Sequence, residues 1–338
     1  MKLTINEIER FAYGVDRCEE KENRMIFHRF TKAQEDLYCT EAIQLFAKTY
    51  ATAGVSLRFV TDSKWMHLNV DVKPGSSRTY FSHDVIINGV YADSLKNYDG
   101  DFLDGDYHQM VFPLGLFEKT FDLGSGEKEI TVLFPALVAS QLVCLELEDG
   151  ASVRKIEPKG EFLFIGDSIT QGYDSLLPQN RYTNRVCRAM GLVEHNLAIG
   201  GEVFRPNLAK LICDRASIER IAVSFGSNDW SLQTYEETKR KCEAFLGTLS
   251  ERFGKKTIYV LSPIWRGDYR DERPFGRFER AAELIQAVCR QHENLVFLDG
   301  FDFVPHQTKL FGDGFLHPTD EGFACFAENL QRAIEITR

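Results

Sequence analysis

The second half of the sequence alternates apolar strand patterns with amphipathic helical patterns, and this alternation is the strongest constraint on the fold. The strand candidates are EFLFIG, VEHNLA, RIAVSFG, TIYVLSPI and NLVFLDG, beginning at residue 161. Helical patterns lie between or after them, as in residues 234–254, 275–292 and 319–337. Parallel strands need long crossovers, which are usually helices. We therefore predict an α/β domain at residues 157–338, with a parallel sheet covered by helices on both faces.

In the first half of the sequence, apolar and polar residues alternate with a period of two and not with a helical period. In residues 65–75, Met66, Leu68, Val70 and Val72 alternate with polar residues, which is typical of a half-buried strand. Similar short runs follow at DVIINGV, HQMVFPLG, KEITVLFPA and QLVCLELEDG. Closely spaced short strands favour an antiparallel sandwich, predicted here for residues 1–156. Two domains also suit a chain of 338 residues.

The charge of the chain excludes some classes of partner. The formal net charge is -10, whereas nucleic acids and anionic membranes require clustered Lys and Arg. We expect neither partner, and the sequence does not indicate an oligomeric state.

The N-terminal sequence and the pattern of cysteines favour a reducing compartment. The N-terminal residues lack the apolar core of a signal peptide, so a cytoplasmic location is the default expectation. The eight cysteines form no CxxC pair or zinc-type cluster. We expect them to be reduced structural thiols.

Polar residues that follow different strands should meet at one edge of the predicted sheet. In open parallel sheets, ligands bind outside the carboxyl ends of the strands. The first strand ends at Gly166-Asp167-Ser168, and the next two run into NLAIGGEVF and GSNDW. The segment FGDGFLHPTDEG precedes the last helix. A serine, a glycine pair, an asparagine and an Asp/His pair are thus predicted to converge.

Ser168 has two interpretations when it is taken alone. A serine after a strand is commonly a helix N-cap or a turn residue. Gly166 and Gly172 would also permit a tight strand-to-helix turn that presents the hydroxyl as a nucleophile. The stretch does not match the G-x-S-x-G elbow, because Asp167 precedes the serine directly.

Four blocks, GDSITQG, NLAIGG, GSND and DGFLHP, stand in this order in residues 161–338. Together they resemble the conserved blocks of SGNH hydrolases, the GDSL-type esterases. The resemblance implies a flavodoxin-like, three-layer α/β/α domain. The first half resembles, less specifically, the jelly-roll-like β-sandwich that precedes this domain in some carbohydrate esterases.

The resemblance also implies roles for individual residues. Ser168 corresponds to the nucleophile and His317 to the base. The oxyanion hole would consist of the Ser168 N–H, the Gly201 N–H and the Asn228 amide, with Gly200 as the less favoured glycine.

The acid that orients His317 departs from the family pattern. The family has Asp-x-x-His, whereas Asp313 is separated from His317 by three residues. We favour Asp313. A Ser-His dyad oriented by a backbone carbonyl, or another carboxylate such as Asp299, stays open.

Several larger side chains near the predicted edge are candidates for a substrate cleft. They are Tyr173, Trp230, Trp265 and Arg266, with core packing as the alternative for both tryptophans.

The resemblance predicts a serine esterase that hydrolyses short acyl esters, acetyl above all, of a carbohydrate or another small polar molecule. It implies no metal or organic cofactor. An O-acyltransferase with the same nucleophile, and a glycan-binding protein with a silent hydrolase domain, are the alternatives.

Overall fold

The computed structural model describes residues 1–337, and its first half contains two antiparallel sheets. The six-stranded sheet has the order β1-β4-β9-β6-β7, with β11 paired to the outer side of β4, and the five-stranded sheet has the order β2-β3-β10-β5-β8. The strands are β1 Ala12–Tyr13, β2 Arg17–Lys21, β3 Arg24–His28, β4 Ser56–Thr61, β5 Trp65–Pro74, β6 Ser82–Ile87, β7 Val90–Lys96, β8 Gly115–Asp122, β9 Lys128–Leu133, β10 Val138–Leu147 and β11 Val153–Lys155.

The two sheets share one apolar core. Phe59 and Ile130 from the six-stranded sheet pack in the same buried cluster as Leu68 and Leu145 from the five-stranded sheet. The alternation in β5 therefore has its expected cause, because every second side chain points into the space between the sheets. The predicted antiparallel sandwich is confirmed.

Short helices that were not predicted lie before β1 and between β3 and β4. They are α1 Ile5–Phe11, α2 Lys32–Glu41, α3 Ile43–Phe46 and a 3-10 turn at Ala47–Tyr50. Thr4 and Thr31 form capping boxes at the starts of α1 and α2. Tyr38 and Leu45 from this region pack into a core of the α/β half instead of the sandwich. The predicted boundary at residue 156 separates the sheets, but residues of the first half contribute to both cores.

The second half forms a five-stranded parallel sheet, as predicted. Its order is β13-β12-β14-β15-β16, so the first strand lies between the second and the third, which is the flavodoxin-like arrangement. The strands are β12 Glu161–Gly166, β13 Val193–Asn196, β14 Ile218–Ser224, β15 Ile258–Leu261 and β16 Leu295–Leu298.

Helices cover both faces of this sheet. They are α4 Ser168–Gln171, α5 Tyr182–Met190, α6 Pro206–Leu211, α7 Ser227–Leu232, α8 Tyr235–Arg252, α9 Glu279–Cys289 and α10 Asp320–Ile336, with 3-10 turns at Pro178–Asn180 and Thr308–Leu310. Leu163 and Ile165 pack in the cluster with α6, α8 and α9. Phe162 and Phe164 pack in the opposite cluster with α5 and α10. The apolar run of β12 is continuous because both of its faces are buried.

All eight cysteines are free, and Cys144, Cys187, Cys242 and Cys289 are buried, as expected for structural thiols. Among residues 1–337, no helix is long and apolar enough to cross a bilayer.

Buried polar contacts join the sandwich to the α/β half. Asp84 of β6 accepts a hydrogen bond from the Gln179 N–H at 3.0 Å. The Gln171 amide donates to the Ala136 carbonyl at 2.9 Å. The fully buried Arg29 donates to the carbonyl oxygens of Asn196 and Ala198. These contacts fix the sandwich against the carboxyl edge of the parallel sheet.

The buried carboxyl of Asp84 should make stability depend on pH. Burial raises the pKa of Asp84 to about 7, against the lowering effect of hydrogen bonds from Ser82 and Gln179. The folded chain therefore binds this proton more tightly than the unfolded chain, in which an Asp pKa is about 3.9. The contribution of Asp84 to the free energy of unfolding falls as pH rises from about 4 to about 7.

We expect Asp84→Asn to remove this dependence. The unfolding free energy of the variant, relative to the wild type, should rise between pH 5 and pH 8 by up to about 1.4 kcal/mol per pH unit. Urea unfolding at four pH values measures the difference, with the exposed Asp36→Asn as the control. A difference between variant and wild type that stays constant with pH would contradict the prediction.

Candidate active site

Ser168 lies in a tight turn between β12 and α4. A Cβ atom on Gly166 would lie 2.5 Å from Thr170 Oγ1 and 2.7 Å from the Ser224 carbonyl oxygen, so only glycine fits there. The Asp167 carboxylate accepts a hydrogen bond from the Ile169 N–H at 3.0 Å and so caps the start of α4. Ser168 is thus the first helical residue, and its side chain is held at the carboxyl end of the strand.

His317 contacts Ser168 on one side and Asp313 on the other. Its Nε2 lies 2.8 Å from Ser168 Oγ. Its Nδ1 lies 2.6 Å from Asp313 Oδ2. The three side chains form one continuous chain of hydrogen bonds, in which the imidazole is placed to accept the serine proton.

The loop between Asp313 and His317 accommodates the additional residue by turning around the carboxylate. Asp313 Oδ1 accepts hydrogen bonds from the backbone N–H groups of Phe315, Leu316 and His317, at 3.1, 2.8 and 3.1 Å. Burial opposes ionisation of Asp313, but the hydrogen bonds and the neighbouring His317 outweigh it and hold its pKa well below the usual range. Asp313 is therefore a carboxylate at neutral pH.

Asp299, the alternative acid, does not contact His317. Its Oδ1 accepts hydrogen bonds from the Ser262 hydroxyl at 2.8 Å and from the Phe301 N–H at 3.2 Å. These contacts fix the turn after β16.

A second carboxylate faces His317 from a position that sequence reasoning missed. Asp174 is fully buried, and its Oδ2 lies 4.0 Å from His317 Nδ1. Asp174 Oδ1 accepts hydrogen bonds from Arg78 Nε at 2.8 Å and from the Tyr80 hydroxyl at 3.1 Å. Both partners belong to the first half of the chain. No motif marked Asp174, because its partners are 94 and 96 residues away.

Asp174, Asp313 and His317 also form the one group in residues 1–337 whose geometry could hold a metal ion. Their potential ligand atoms lie within 4.8 Å of one another. Two features fit a cation poorly. The Arg78 guanidinium already pairs with Asp174, and Asp313 is hydrogen-bonded to the imidazole. The residues fit a hydrogen-bonded acid-base pair better than a metal centre.

The glycine pair after β13 differs in the availability of its N–H groups. The Gly200 N–H donates to Gln171 Oε1 at 2.7 Å and is thereby occupied. The Gly201 N–H has no acceptor among residues 1–337, and Gly201 is exposed. Of the two glycines, Gly201 is the one with a free donor.

Asn228 stands at the start of α7 and is half-buried. One of its amide hydrogens is donated to the Glu202 carbonyl oxygen at 2.9 Å, which ties α7 to the segment that follows the glycine pair. A carboxamide has two N–H donors, so the second remains for a ligand.

Trp230 does not line a cleft. It is fully buried, packs edge-on against Phe278 and donates its indole N–H to the Gly276 carbonyl at 2.8 Å. The structure places Trp230 in the core, which favours the alternative of core packing over the predicted substrate contact.

Trp265 and Arg266 are also largely buried, with 8% and 5% of their surface exposed. Trp265 stacks on His306 and packs against Phe311. Arg266 forms a two-point ion pair with Asp268. These side chains support the loop after β15 from within, so the structure does not place them on a cleft wall.

Tyr173 lies beneath the site. Its ring is 5.2 Å from the His317 ring, and only 3% of the residue is exposed. A Cβ atom on Gly200 would lie 2.5 Å from the Tyr173 hydroxyl oxygen. The ring thus fills the space between the glycine pair and the imidazole, and the predicted direct substrate contact has little accessible surface to make it.

Both the sequence and the fold of this chain are similar to those of known proteins. The model of the GDSL-like lipase/acylhydrolase family matches residues 164–325. No curated protein matches the sequence significantly.

Similar solved structures include three that cover nearly the whole chain. The salicylyl-acyltransferase SsfX3 from a tetracycline biosynthetic pathway has a TM-score of 0.80 at 20% identity, over 96% of this chain and 94% of that one. A GDSL-like protein from Bacteroides ovatus ATCC 8483 has a TM-score of 0.77 at 20% identity, over 98% and 96%. The acetyl xylan esterase Est2A from the rumen bacterium Butyrivibrio proteoclasticus has a TM-score of 0.62 at 14% identity, over 100% and 98%.

At these identities the structures establish a shared fold that includes both halves of the chain. The family match begins within β12 and includes all four sequence blocks. The resemblance predicted from the sequence is confirmed: residues 164–325, within the α/β half of this chain, match the GDSL-like lipase/acylhydrolase family.

Proposed function

We propose that this protein is a serine esterase that removes short acyl groups, above all acetyl, from a carbohydrate or another small polar ester. The observation that carries the proposal is the chain of contacts from Ser168 Oγ through His317 to Asp313, with distances of 2.8 and 2.6 Å. A serine hydroxyl is a weak nucleophile until an oriented imidazole accepts its proton.

Acylation follows from these contacts. Ser168 Oγ attacks the ester carbonyl carbon while its proton moves to His317 Nε2. The negative charge of the tetrahedral intermediate is stabilised by the N–H groups of Ser168 and Gly201 and by the Asn228 amide. The imidazolium then protonates the leaving alcohol oxygen as the carbon–oxygen bond breaks, which leaves an acyl-enzyme.

Deacylation uses the same groups in reverse order. His317 accepts a proton from water, the resulting hydroxide attacks the acyl carbon, and Ser168 regains its proton as it leaves. Asp313 remains ionised throughout and stabilises the imidazolium that forms in both steps.

Proteins of similar structure support a short acyl group and a polar alcohol. The solved structures with this two-part fold include an acetyl xylan esterase and carbohydrate esterases of family two.

An O-acyltransferase is the second candidate, because the salicylyl-acyltransferase fold matches 96% of this chain at a TM-score of 0.80. The two functions differ only in whether water or an alcohol attacks the acyl-enzyme. Product analysis with acetylated sugars, with and without a second acceptor alcohol, separates them. Free acetate as the main product in the presence of acceptor supports the esterase. Glycan binding without Ser168-dependent turnover would instead indicate a silent domain.

Ser168→Ala should abolish hydrolysis of p-nitrophenyl acetate. We expect kcat to fall by at least about 10³-fold in a folded variant, because the nucleophile is lost. The exposed Ser125→Ala is the matched control and should retain full activity. Acetate should be hydrolysed faster than butyrate by the wild type. Wild-type rates in the Ser168→Ala protein would contradict the proposal.

Asp313→Asn and Asp299→Asn separate the two candidate acids. Asparagine at 313 cannot hold the imidazolium charge, so kcat should fall by roughly 10³–10⁴-fold. Asparagine at 299 should leave kcat within about threefold of the wild type. Steady-state kinetics on both variants, after their circular dichroism spectra are compared, measures this. A larger loss at 299 than at 313 would reverse the assignment.

Asn228→Ala tests the oxyanion hole. Loss of one preorganised donor should lower kcat by about 10²–10³-fold with a smaller effect on KM. The control is Asn207→Ala, since Asn207 is on the surface and contacts only Glu41 and Lys210. A change in KM without a change in kcat would show that Asn228 binds the ground state instead.

A further inference from the structure

We propose that Lys48 is a positioning residue of the oxyanion hole. Its ammonium group holds and polarises the peptide unit that carries the Gly201 N–H. The inference rests on the proposed function, in which that N–H stabilises the tetrahedral intermediate. It assigns part of the catalytic machinery to the first half of the chain.

The contact that carries the inference is a charged hydrogen bond. Lys48 Nζ donates to the Gly200 carbonyl oxygen at 2.6 Å. This carbonyl and the Gly201 N–H belong to the same peptide unit. Because a trans peptide is planar, its C=O and N–H point in opposite directions. A group that fixes the direction of the carbonyl therefore fixes the direction of the N–H.

The backbone at this position needs such a restraint. Gly201 has a φ of +90°, in the left-handed region, and it is exposed at the surface of the turn. Glycine has access to several backbone conformations, so the peptide before Gly201 could rotate at little cost. A rotated peptide would turn the N–H away from the oxyanion.

Gly200 is held on its other side as well. Its N–H is donated to Gln171 Oε1, and its Cα rests on the Tyr173 ring, where no Cβ atom would fit. Gln171 and Tyr173 follow Ser168 in the nucleophile turn, and the Tyr173 ring lies beside His317. Lys48 thus completes a set of contacts that hold the glycine pair in a fixed position relative to Ser168.

The charge of Lys48 is available to this carbonyl. Lys48 makes no ion pair with a carboxylate within 4.0 Å among residues 1–337, and it is half-buried. The nearby Glu202 pairs with Arg205 instead. Hydrogen bonds from a charged donor are stronger than neutral ones, and they polarise the amide that accepts them. The partial positive charge on the Gly201 N–H increases, which favours binding of an oxyanion over binding of a neutral carbonyl.

The segment that carries Lys48 is itself fixed to the α/β half. Arg29 donates to the carbonyl oxygens of Lys48 and Ala51 and to those of Asn196 and Ala198 after β13. Leu45, in the preceding turn, is buried in the core of the α/β half. The ammonium therefore approaches the glycine pair from a rigid support.

Lys48→Met tests the inference by keeping the length of the side chain and removing its charge. We expect kcat for p-nitrophenyl acetate to fall by about 10- to 100-fold, less than for the loss of a whole donor, with KM within about threefold of the wild type. The affinity for a boronic acid, which forms a tetrahedral anionic adduct with the serine, should fall by a similar factor. Lys48→Arg, which keeps a charged donor, should recover most of the lost rate.

The matched control is Lys32→Met, because Lys32 is an exposed lysine of α2 that pairs only with Asp36. It should match the wild type in all measurements. Lys48→Gln is a second neutral variant should the methionine disturb folding, which circular dichroism and Tm report. An unchanged kcat in a folded neutral variant overturns the inference. So does a rise in KM with kcat unchanged, which would make Lys48 a ground-state binding residue.

Failure of this inference differs from failure of the proposed function. Covalent labelling of Ser168 by a fluorescent phosphonate reports the activated nucleophile independently of turnover. Wild-type labelling and turnover that depend on Ser168, with Lys48→Met equal to the wild type, overturn only the role of Lys48. A wild type with neither labelling nor Ser168-dependent turnover overturns the proposed function and this inference together.

Discussion

The parallel pairing of β12 with β13 and β14 is the constraint on which the site depends. In the register of the sheet, Phe164 is opposite Asn196, and Gly166 is opposite Ser224. The three chain segments that leave these strands therefore emerge at one edge. They carry the serine turn, the glycine pair and Asn228. If β13 and β14 were antiparallel to β12, the segment after β12 would leave the sheet at the opposite edge from the other two. Strand direction alone therefore brings these three segments to the same edge of the sheet.

His317 reaches this edge from the loop before α10, 149 residues after Ser168 in sequence. The loop is held by a short bridge between Phe311 and Pro318 and by the hydrogen bonds that Asp313 Oδ1 accepts from its own backbone. The carboxylate therefore has two tasks, since one oxygen shapes the loop and the other faces the imidazole. The additional residue between Asp313 and His317 is accommodated by this turn and leaves the Asp–His contact in place.

The sandwich half contributes side-chain contacts to the candidate site. Arg78 and Tyr80 satisfy one oxygen of Asp174, the buried carboxylate beside His317. Lys48 donates to the carbonyl oxygen of Gly200, which packs against the Tyr173 ring. A buried carboxylate without a partner is costly, so the α/β domain would be electrostatically incomplete without the sandwich. Short helices of the first half also pack into the core of the second half.

The sequence by itself determined the parallel sheet, the sandwich and the strand-end location of the site, and its resemblance to a known family pointed to Ser168 and His317 and favoured Asp313. These features follow from local patterns: side-chain periodicity, turns at strand ends, and short blocks in a fixed order. Only the tertiary structure decided that Gly200 lacks a free N–H, that Trp230 is a core residue, that Asp174 lies beside His317 and that Lys48 contacts Gly200. Each of these depends on contacts between residues far apart in sequence, such as the 152 positions from Lys48 to Gly200. No local pattern encodes such a contact, because it forms only when distant segments of the chain pack together.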